Sequence, residues 1–444
     1  MARLFGTDGV RGEAGVHLTA RMAFDLGIAS AKILTKSYDK PAILIGMDTR
    51  ISCEMLAAAL TAGICSVGVD VYNAGVVPTP AVAYLVRKYG FSAGIMVSAS
   101  HNSFGDNGIK FYNGQGYKLS DDIEDEIEAI LGANVEQATG ANIGRVYESD
   151  TAVVDYAEFL KSTTKADLSG LKIALDCANG ATYIAAPHMF GLLGADIDVI
   201  ANMPDGVNIN DNCGSTHVDA LADHAKNGNF DLGFAFDGDG DRCFAIDENG
   251  DVLDGDMIMS IIGKHWKKKG LLAKDTIVAT VMSNLGFFKD VEAAGVNAVQ
   301  AKVGDRYVLE KMMADGYSLG GEQSGHIICL NHHTTGDGLL AAIVLASIVK
   351  ETGKTLSQLN TMQKMPQVLR NAKIANNMKD SVLANEAVKA EIATVEAKYD
   401  GNGRVLIRPS GTEPLVRVMI EGNDIDEITA DAVRLAQMME DIAK

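Results

Sequence analysis

Asp237-Gly238-Asp239-Gly240-Asp241-Arg242 puts three carboxylates at alternate positions, directly after the apolar run 232–236. The two glycines let the backbone fold until the side chains converge. Converged carboxylates repel one another, so a hard divalent cation is their natural partner. Glu248 stands at the twelfth place of a calcium EF-hand loop counted from Asp237, but the sixth place, which needs glycine, is Arg242. The segment before the loop also reads as a strand, where an EF-hand needs a helix. Three protein carboxylates leave positions open, which suits Mg²⁺ bridging to a phosphate oxygen. The competing reading is a solvated acidic turn.

A second candidate is Ser98-Ala99-Ser100-His101-Asn102, after the apolar run 93–97. A strand that delivers serine and histidine to a loop tip is one way to present a nucleophile. Adjacent Ser and His cannot by themselves make a triad, and the chain contains no GxSxG elbow. Lys110 stands ten residues after Ser100. Taken alone, the segment reads equally well as a polar loop.

Two further loops carry recognition chemistry. In Arg408-Pro409-Ser410-Gly411-Thr412-Glu413-Pro414, with Arg417 beyond, a guanidinium, two hydroxyls and a flexible backbone are what a phosphate cradle needs. A β-turn is the plainer reading. It is not a Walker loop, and the one GKT, Gly353-Lys354-Thr355, has Ile348 where the first glycine should stand. In Gly320-Gly321-Glu322-Gln323-Ser324-Gly325-His326, a carboxylate and a hydroxyl on a glycine-flanked loop suit sugar hydroxyls, although a hairpin loop fits nearly as well.

The elements that must position these loops repeat. The runs 42–48, 171–176 and 276–281 each lead to a helix, a glycine turn and a second strand. The helices are expected at 55–63, up to 193 and up to 294. This alternation predicts α/β units on parallel or mixed sheets. The last residues differ: helix 386–399, strands 403–408 and 415–421, and an amphipathic helix 425–442 predict a small α+β domain. The polar stretch 371–380 reads as following a linker near Pro366.

The chain has 444 residues, with 39 Lys+Arg against 58 Asp+Glu, a net charge of −19. That balance argues against nucleic acid and anionic membrane surfaces, but not against a small anionic substrate met by a few local cations. Six scattered cysteines without CxxC predict reduced thiols. The longest apolar stretch, 339–349, is too short for a membrane span and reads as a buried helix. The opening residues lack a signal h-region, so a soluble, cytoplasmic protein is expected.

The four loops, in this order and one per expected domain, resemble the α-D-phosphohexomutase family over essentially the whole chain. Phe5-Gly6-Thr7-Asp8-Gly9-Val10-Arg11-Gly12, Gln323 and Lys302-Val303-Gly304-Asp305-Arg306 resemble its bacterial, amino-sugar branch. The resemblance implies three similar α/β mixed-sheet domains plus a smaller C-terminal α+β domain, heart-shaped around a central cleft. The expected limits are 1–150, 151–252, 253–367 and 368–444. It implies interconversion of glucosamine 6-phosphate and glucosamine 1-phosphate, supplying UDP-N-acetylglucosamine and peptidoglycan precursors. Ser100 would be the phosphoserine. Asp237, Asp239 and Asp241, with the phosphate on Ser100, would hold one Mg²⁺. Arg11, His101, Lys110 and Arg242 would line the transfer site, with Lys110 a candidate acid/base. Glu322, Ser324 and His326 would meet the sugar, and Arg408, Ser410, Gly411, Thr412 and Arg417 the non-reacting phosphate. Glucosamine or glucose 1,6-bisphosphate would be primer and intermediate. The resemblance leaves room for a homodimer and an activating kinase. Ser103 departs from the proline usual in the family after Asn102, without removing a chemical group. The competing readings are the same chemistry on glucose or mannose phosphates, and a non-catalytic metal- and phosphosugar-binding regulatory module. The latter should lack the nucleophile or the lysine, and both are present.

Overall fold

Apolar runs flanked by helices become strands buried on both faces, as parallel pairing requires. The structure, a computed structural model, describes residues 3–6, 8–410 and 413–444. The first sheet contains β1 (Val10–Glu13), β2 (Ala42–Met47), β3 (Asp70–Val76), β4 (Ala93–Val97), β5 (Asp106–Asn113) and β6 (Val146–Glu148), in the order β1-β5-β4-β2-β3-β6. The second contains β7 (Lys172–Asp176), β8 (Asp196–Ile200), β9 (Leu232–Phe236), β10 (Cys243–Ile246) and β11 (Val252–Leu253), in the order β11-β10-β9-β7-β8. The third contains β12 (Thr276–Thr280), β13 (Asn297–Ala301), β14 (Leu319–Gly321) and β15 (Ile327–Cys329), in the order β13-β12-β14-β15.

One pattern runs through all three sheets. β2, β7 and β12 each lie between two parallel neighbours. β5, β10 and β15 then add antiparallel to β4, β9 and β14. The repeat expected from sequence is thus a repeat of topology. Even the end of the central strand repeats. Asp48, just past β2, accepts from Arg50 N at 2.9 Å; Asp176, closing β7, accepts from Ala178 N at 2.8 Å; Thr280, closing β12, accepts from Met282 N at 3.2 Å. A side chain that takes the amide two residues on ends the strand and opens the loop.

The chain forms two compact units. The first runs to Met282 and resumes over Gly295–Thr361; the second comprises Ser283–Ala294 and Met362–Lys444. In the first, helix Gly338–Thr352 is buried along residues 338–349, as the apolar stretch predicts. Among the described residues, no helix is long and apolar enough to cross a membrane. Gly353 caps that helix with φ 63°, which explains the GKT as a helix end. All six cysteines are free and buried.

In the second unit β16 (Gln367–Lys373), β17 (Arg404–Pro409) and β18 (Leu415–Glu421) form an antiparallel sheet in the order β16-β18-β17. Helices Glu386–Tyr399 and Ile425–Ile442 lie where the sequence puts them. The polar stretch 371–380 does not simply follow a linker. Its first residues finish strand β16, where Val368 and Ala372 are buried while Leu369, Arg370 and Asn371 are exposed. An edge strand with one wet face hides in a polar sequence.

Candidate active site

β4 ends at Val97 and releases the serine loop. Ser98 Oγ accepts from Ser100 N at 2.9 Å, and Ser100 takes a left-handed φ of 52°. β9 ends at Phe236 and releases the aspartate loop. The two loops meet: Ser100 Oγ donates to Asp237 Oδ2 at 2.6 Å and lies 3.3 Å from His101 Nδ1. β5 returns beside β4 and carries Lys110, whose ammonium lies 2.7 Å from Asp239 Oδ2, 3.0 Å from Asp8 Oδ2 and 3.6 Å from Asp241 Oδ2. Thr79 Oγ1 also donates to Asp239 Oδ2, at 2.5 Å.

The three aspartates fit a cation. Their ligand oxygens lie within 4.8 Å of one another, and all three residues are buried. Asp239 Oδ1 and Asp241 Oδ1 are buried with no hydrogen-bond partner among the described residues. Burial, then Asp241 and Asp239, push the Asp237 carboxyl well above the usual range. Such an all-oxygen donor set suits a hard divalent ion, whose charge removes the mutual repulsion. Glu248 is engaged elsewhere: its carboxylate accepts from Ser357 N and Oγ. That argues further against an EF-hand.

The cations are ordered around this cluster. Burial pulls the Lys110 ammonium down, but Asp239, Asp8 and Asp241 outweigh it, and its pKa rises well above the ordinary lysine value. Burial, helped by Arg242 and Arg11, lowers His101 to about 4, so the ring is neutral near pH 7. Arg242 Nη1 lies 3.1 Å from His101 Nδ1; since a guanidinium only donates, the ring proton sits on Nε2. Arg242 N donates to Asp237 Oδ1 at 3.1 Å.

Asp8 carries no candidate role in the sequence reading. It accepts from Arg11 and Lys118 and pairs with Lys110. Burial would raise its carboxyl, but Lys110, Lys118 and Arg11 hold it well below the usual range. Lys118 also pairs with Asp305, and Asp305 lies 3.7 Å from His326 Nε2. The sequence signal for this network is the opening run and the segment 302–306; Lys118, which joins them, carries no motif. A cavity of ≈ 260 Å³ is lined in part by Lys118, Asp305 and His326.

The loop 322–326 joins β14 to β15 and is tied to the aspartate loop. Arg242 and His326 form an isolated bridge, and Cys243 N donates to Gly325 O at 3.1 Å. Glu322 Oε1 accepts from Gly304 N at 3.0 Å. Ser324 is half-buried at the loop tip, and His326 is buried with neither ring nitrogen hydrogen-bonded among the described residues. Thus Arg11, Ser100, His101, Lys110, Asp237, Asp239, Asp241, Arg242, Glu322, Ser324 and His326 all belong to the first compact unit.

In the second unit, Arg408 and Arg417 sit opposite each other across β17 and β18. Like charges directly opposite disfavour a sheet unless an anion meets them. Arg417 pairs with Glu413 at 2.7 Å, and Ser410 Oγ accepts from Glu413 N at 3.1 Å. Buried Lys379 donates to Ser410 O at 2.5 Å and Glu413 O at 2.6 Å, gripping both ends of the loop. In sequence it is one more polar residue of the stretch 371–380. Gly411 and Thr412 lie outside the described residues.

Models of the phosphoglucomutase/phosphomannomutase alpha/beta/alpha domains I, II and III match residues 2–138, 154–250 and 254–365, and that of the C-terminal domain matches 369–438. The chain belongs to this family. Among phosphoglucomutase/phosphomannomutase relatives, it is 57% identical over 447 residues to a phosphoglucosamine mutase of Clostridium novyi, covering 100% of both chains. It is 56% identical over 444 residues to that of Clostridium acetobutylicum, covering 99% of each. A phosphoglucomutase/phosphomannomutase family protein of Burkholderia thailandensis shares the fold, with TM-score 0.83 at 22% identity, over 100% of this chain and 98% of that one. So does the N-acetylphosphoglucosamine mutase of Aspergillus fumigatus, solved with GlcNAc-6P and magnesium, with TM-score 0.72 at 18% identity, over 99% and 96%.

Proposed function

We propose that the chain is a phosphoglucosamine mutase, an isomerase that interconverts glucosamine 6-phosphate and glucosamine 1-phosphate. The observation that carries this reading is the Ser100 hydroxyl 2.6 Å from Asp237 inside a buried carboxylate cluster, in a chain 57% identical to a phosphoglucosamine mutase over its full length. The two sugar oxygens are too far apart for direct transfer. A phosphate on Ser100 removes the difficulty: its Oγ–P bond breaks as a sugar oxygen bonds to phosphorus, giving a bisphosphate. The intermediate turns over, and its other phosphate returns to Ser100.

Asp237, Asp239 and Asp241 would hold Mg²⁺, which supplies charge neutralisation to the transferring phosphoryl group. Arg11 and Arg242 add positive charge beside the same group. Lys110 is the acid/base candidate for the proton that the sugar hydroxyl loses and Ser100 Oγ gains; Asp239, Asp8 and Asp241 hold it charged, and a cation shared by the aspartates would lower its pKa toward that exchange. Glu322, Ser324 and His326 would orient the sugar, and Arg408, Ser410 and Arg417 would grip the phosphate that is not reacting. One loop is assigned to each of the domains 1–150, 151–252, 253–367 and 368–444. A bisphosphate sugar would prime Ser100, and the product would feed cytoplasmic UDP-N-acetylglucosamine synthesis.

A coupled assay with Mg²⁺ and trace bisphosphate, comparing glucosamine, glucose and mannose 6-phosphates, tests this reading. Glucosamine 6-phosphate is expected to turn over fastest. Faster turnover of either neutral sugar would reassign the substrate.

A further inference from the structure

Arg50 has no role in the chemistry above, yet its side chain is wholly buried. Its Nε lies 3.0 Å from Asp48 Oδ2, which is buried as well. Both remaining nitrogens turn to the backbone of the serine loop. Nη2 donates to Ser100 O and Asn102 O, each at 2.9 Å; Nη1 donates to Asn102 O at 3.1 Å and Ser103 O at 2.9 Å. A buried ion pair is a poor source of stability, since apolar residues of the same volume often serve as well. What they cannot do is present several N–H donors in one rigid plane.

A second donor comes from the other side. Asn210 Nδ2 donates to Ser100 O at 2.9 Å and Asn102 O at 3.0 Å. Asn210 is itself anchored: its N donates to Ala178 O at 2.9 Å, and nearby Gly214 N donates to Asp176 Oδ2 at 2.7 Å. The aspartate loop packs onto the same spot. A Cβ at Gly238 would stand 2.6 Å from Ser100 O and 2.8 Å from Asn210 Nδ2, so only glycine fits between Asp237 and Asp239. One carbonyl, Ser100 O, is therefore where the serine loop, the aspartate loop, Arg50 and Asn210 meet.

We infer that Arg50 and Asn210 are positioning residues for phosphoryl transfer, which clamp the backbone of the serine loop so that Ser100 Oγ is held in line beside the aspartates. The inference rests on the mutase reading above and deepens it. Neither residue touches Ser100 Oγ; each acts through the carbonyls behind it. Displacement of a reacting atom by an ångström lowers transfer about a hundredfold without weakening substrate binding.

The test uses the full chain and the variants Arg50→Lys and Asn210→Gly. Glycine accepts the φ of 58° at position 210, so that variant loses the carboxamide without backbone strain. Far below the melting temperature, kcat for glucosamine 6-phosphate should fall about 10- to 100-fold with KM within about threefold. Loading of Ser100 by glucose 1,6-bisphosphate, followed by peptide mass spectrometry, should slow in parallel. Amide hydrogen exchange over residues 98–106 should quicken at least about tenfold, whether or not the chain turns over any sugar. A folded variant with kcat within about twofold of the parent, a change in KM or Tm alone, or unchanged exchange overturns the inference. If Arg50→Lys does not fold, Asn210→Gly decides. A parent inactive on all three sugar phosphates overturns the function, while the exchange result still judges the clamp.

Discussion

Ser100 Oγ donates a hydrogen bond to Asp237 Oδ2 at 2.6 Å, joining residues 137 positions apart in sequence. The hydroxyl that would carry phosphate is thus already against an oxygen that would hold the cation. Ser100→Ala is expected to lower turnover at least about a thousandfold. Removing one hydroxyl at this site should leave Tm within a few degrees, read by calorimetry. Peptide mass spectrometry of the active parent should find phosphate on Ser100; near-normal turnover of the alanine variant would refute the nucleophile.

Removing the cation should cost both activity and stability. Chelation with EDTA should stop turnover, and Mg²⁺ should restore it. Because the ion relieves three crowded carboxylates only in the folded chain, saturating Mg²⁺ should raise Tm, by about 2.7 kcal/mol of stability at a hundredfold excess over Kd. Asp241→Asn should raise the Mg²⁺ needed for half-maximal rate at least about tenfold. An unshifted Mg²⁺ titration in that variant would remove Asp241 from the site.

His333 predicts a pH dependence away from the chemistry. Its Nδ1 accepts from Thr334 N at 2.7 Å and faces Arg87 Nη2 at 3.2 Å, while Nε2 lies 2.9 Å from Pro80 O. Burial, then Arg87, lower it to about 3. Below pH 6.5 the unfolded chain takes up this proton and the folded chain does not. Stability from this residue is therefore intact above about pH 6.5 and declines as pH falls toward 3, by up to about 1.4 kcal/mol per pH unit. Asp337, which burial pushes up to about 7, works with the opposite sign, losing stability as pH rises from about 4 to 7. The measurement is accordingly the difference in Tm against pH between the parent and His333→Gln, which should flatten the acid limb. Parallel curves would rule this out.

Lys379 grips the loop that carries Ser410. Lys379→Met should loosen it, raising KM for the sugar phosphate about tenfold with a smaller effect on kcat. Steady-state kinetics decide, and an unchanged KM would detach this loop from substrate binding.

Legible in the sequence was whatever one strand and its adjoining loop carry together. Ser100 and the aspartates come directly after β4 and β9, and their chemistry is spelled in consecutive letters. Lys110 was within reach because β5 pairs with β4. Asp8, Lys118 and Asp305 were not legible as a network, since only tertiary folding brings residues 110 and 187 positions apart into one line of ion pairs. Arg50 and Lys379 were hidden for a different reason. A cation that serves backbone carbonyls needs no partner motif, so its surroundings in sequence look like any polar segment. Strand β16 was lost because half of it faces water.

The side-chain turn at the end of the central strand of each of the three α/β sheets sets where each functional segment begins. Asp48, Asp176 and Thr280 mark one structural address that recurs in three sheets. The segment beyond each differs: a guanidinium clamp after the first, an anchor for Asn210 after the second, and the start of the second compact unit after the third. Different chemistry thus leaves the same junction of a shared strand pattern, although the sheets around it have six, five and four strands.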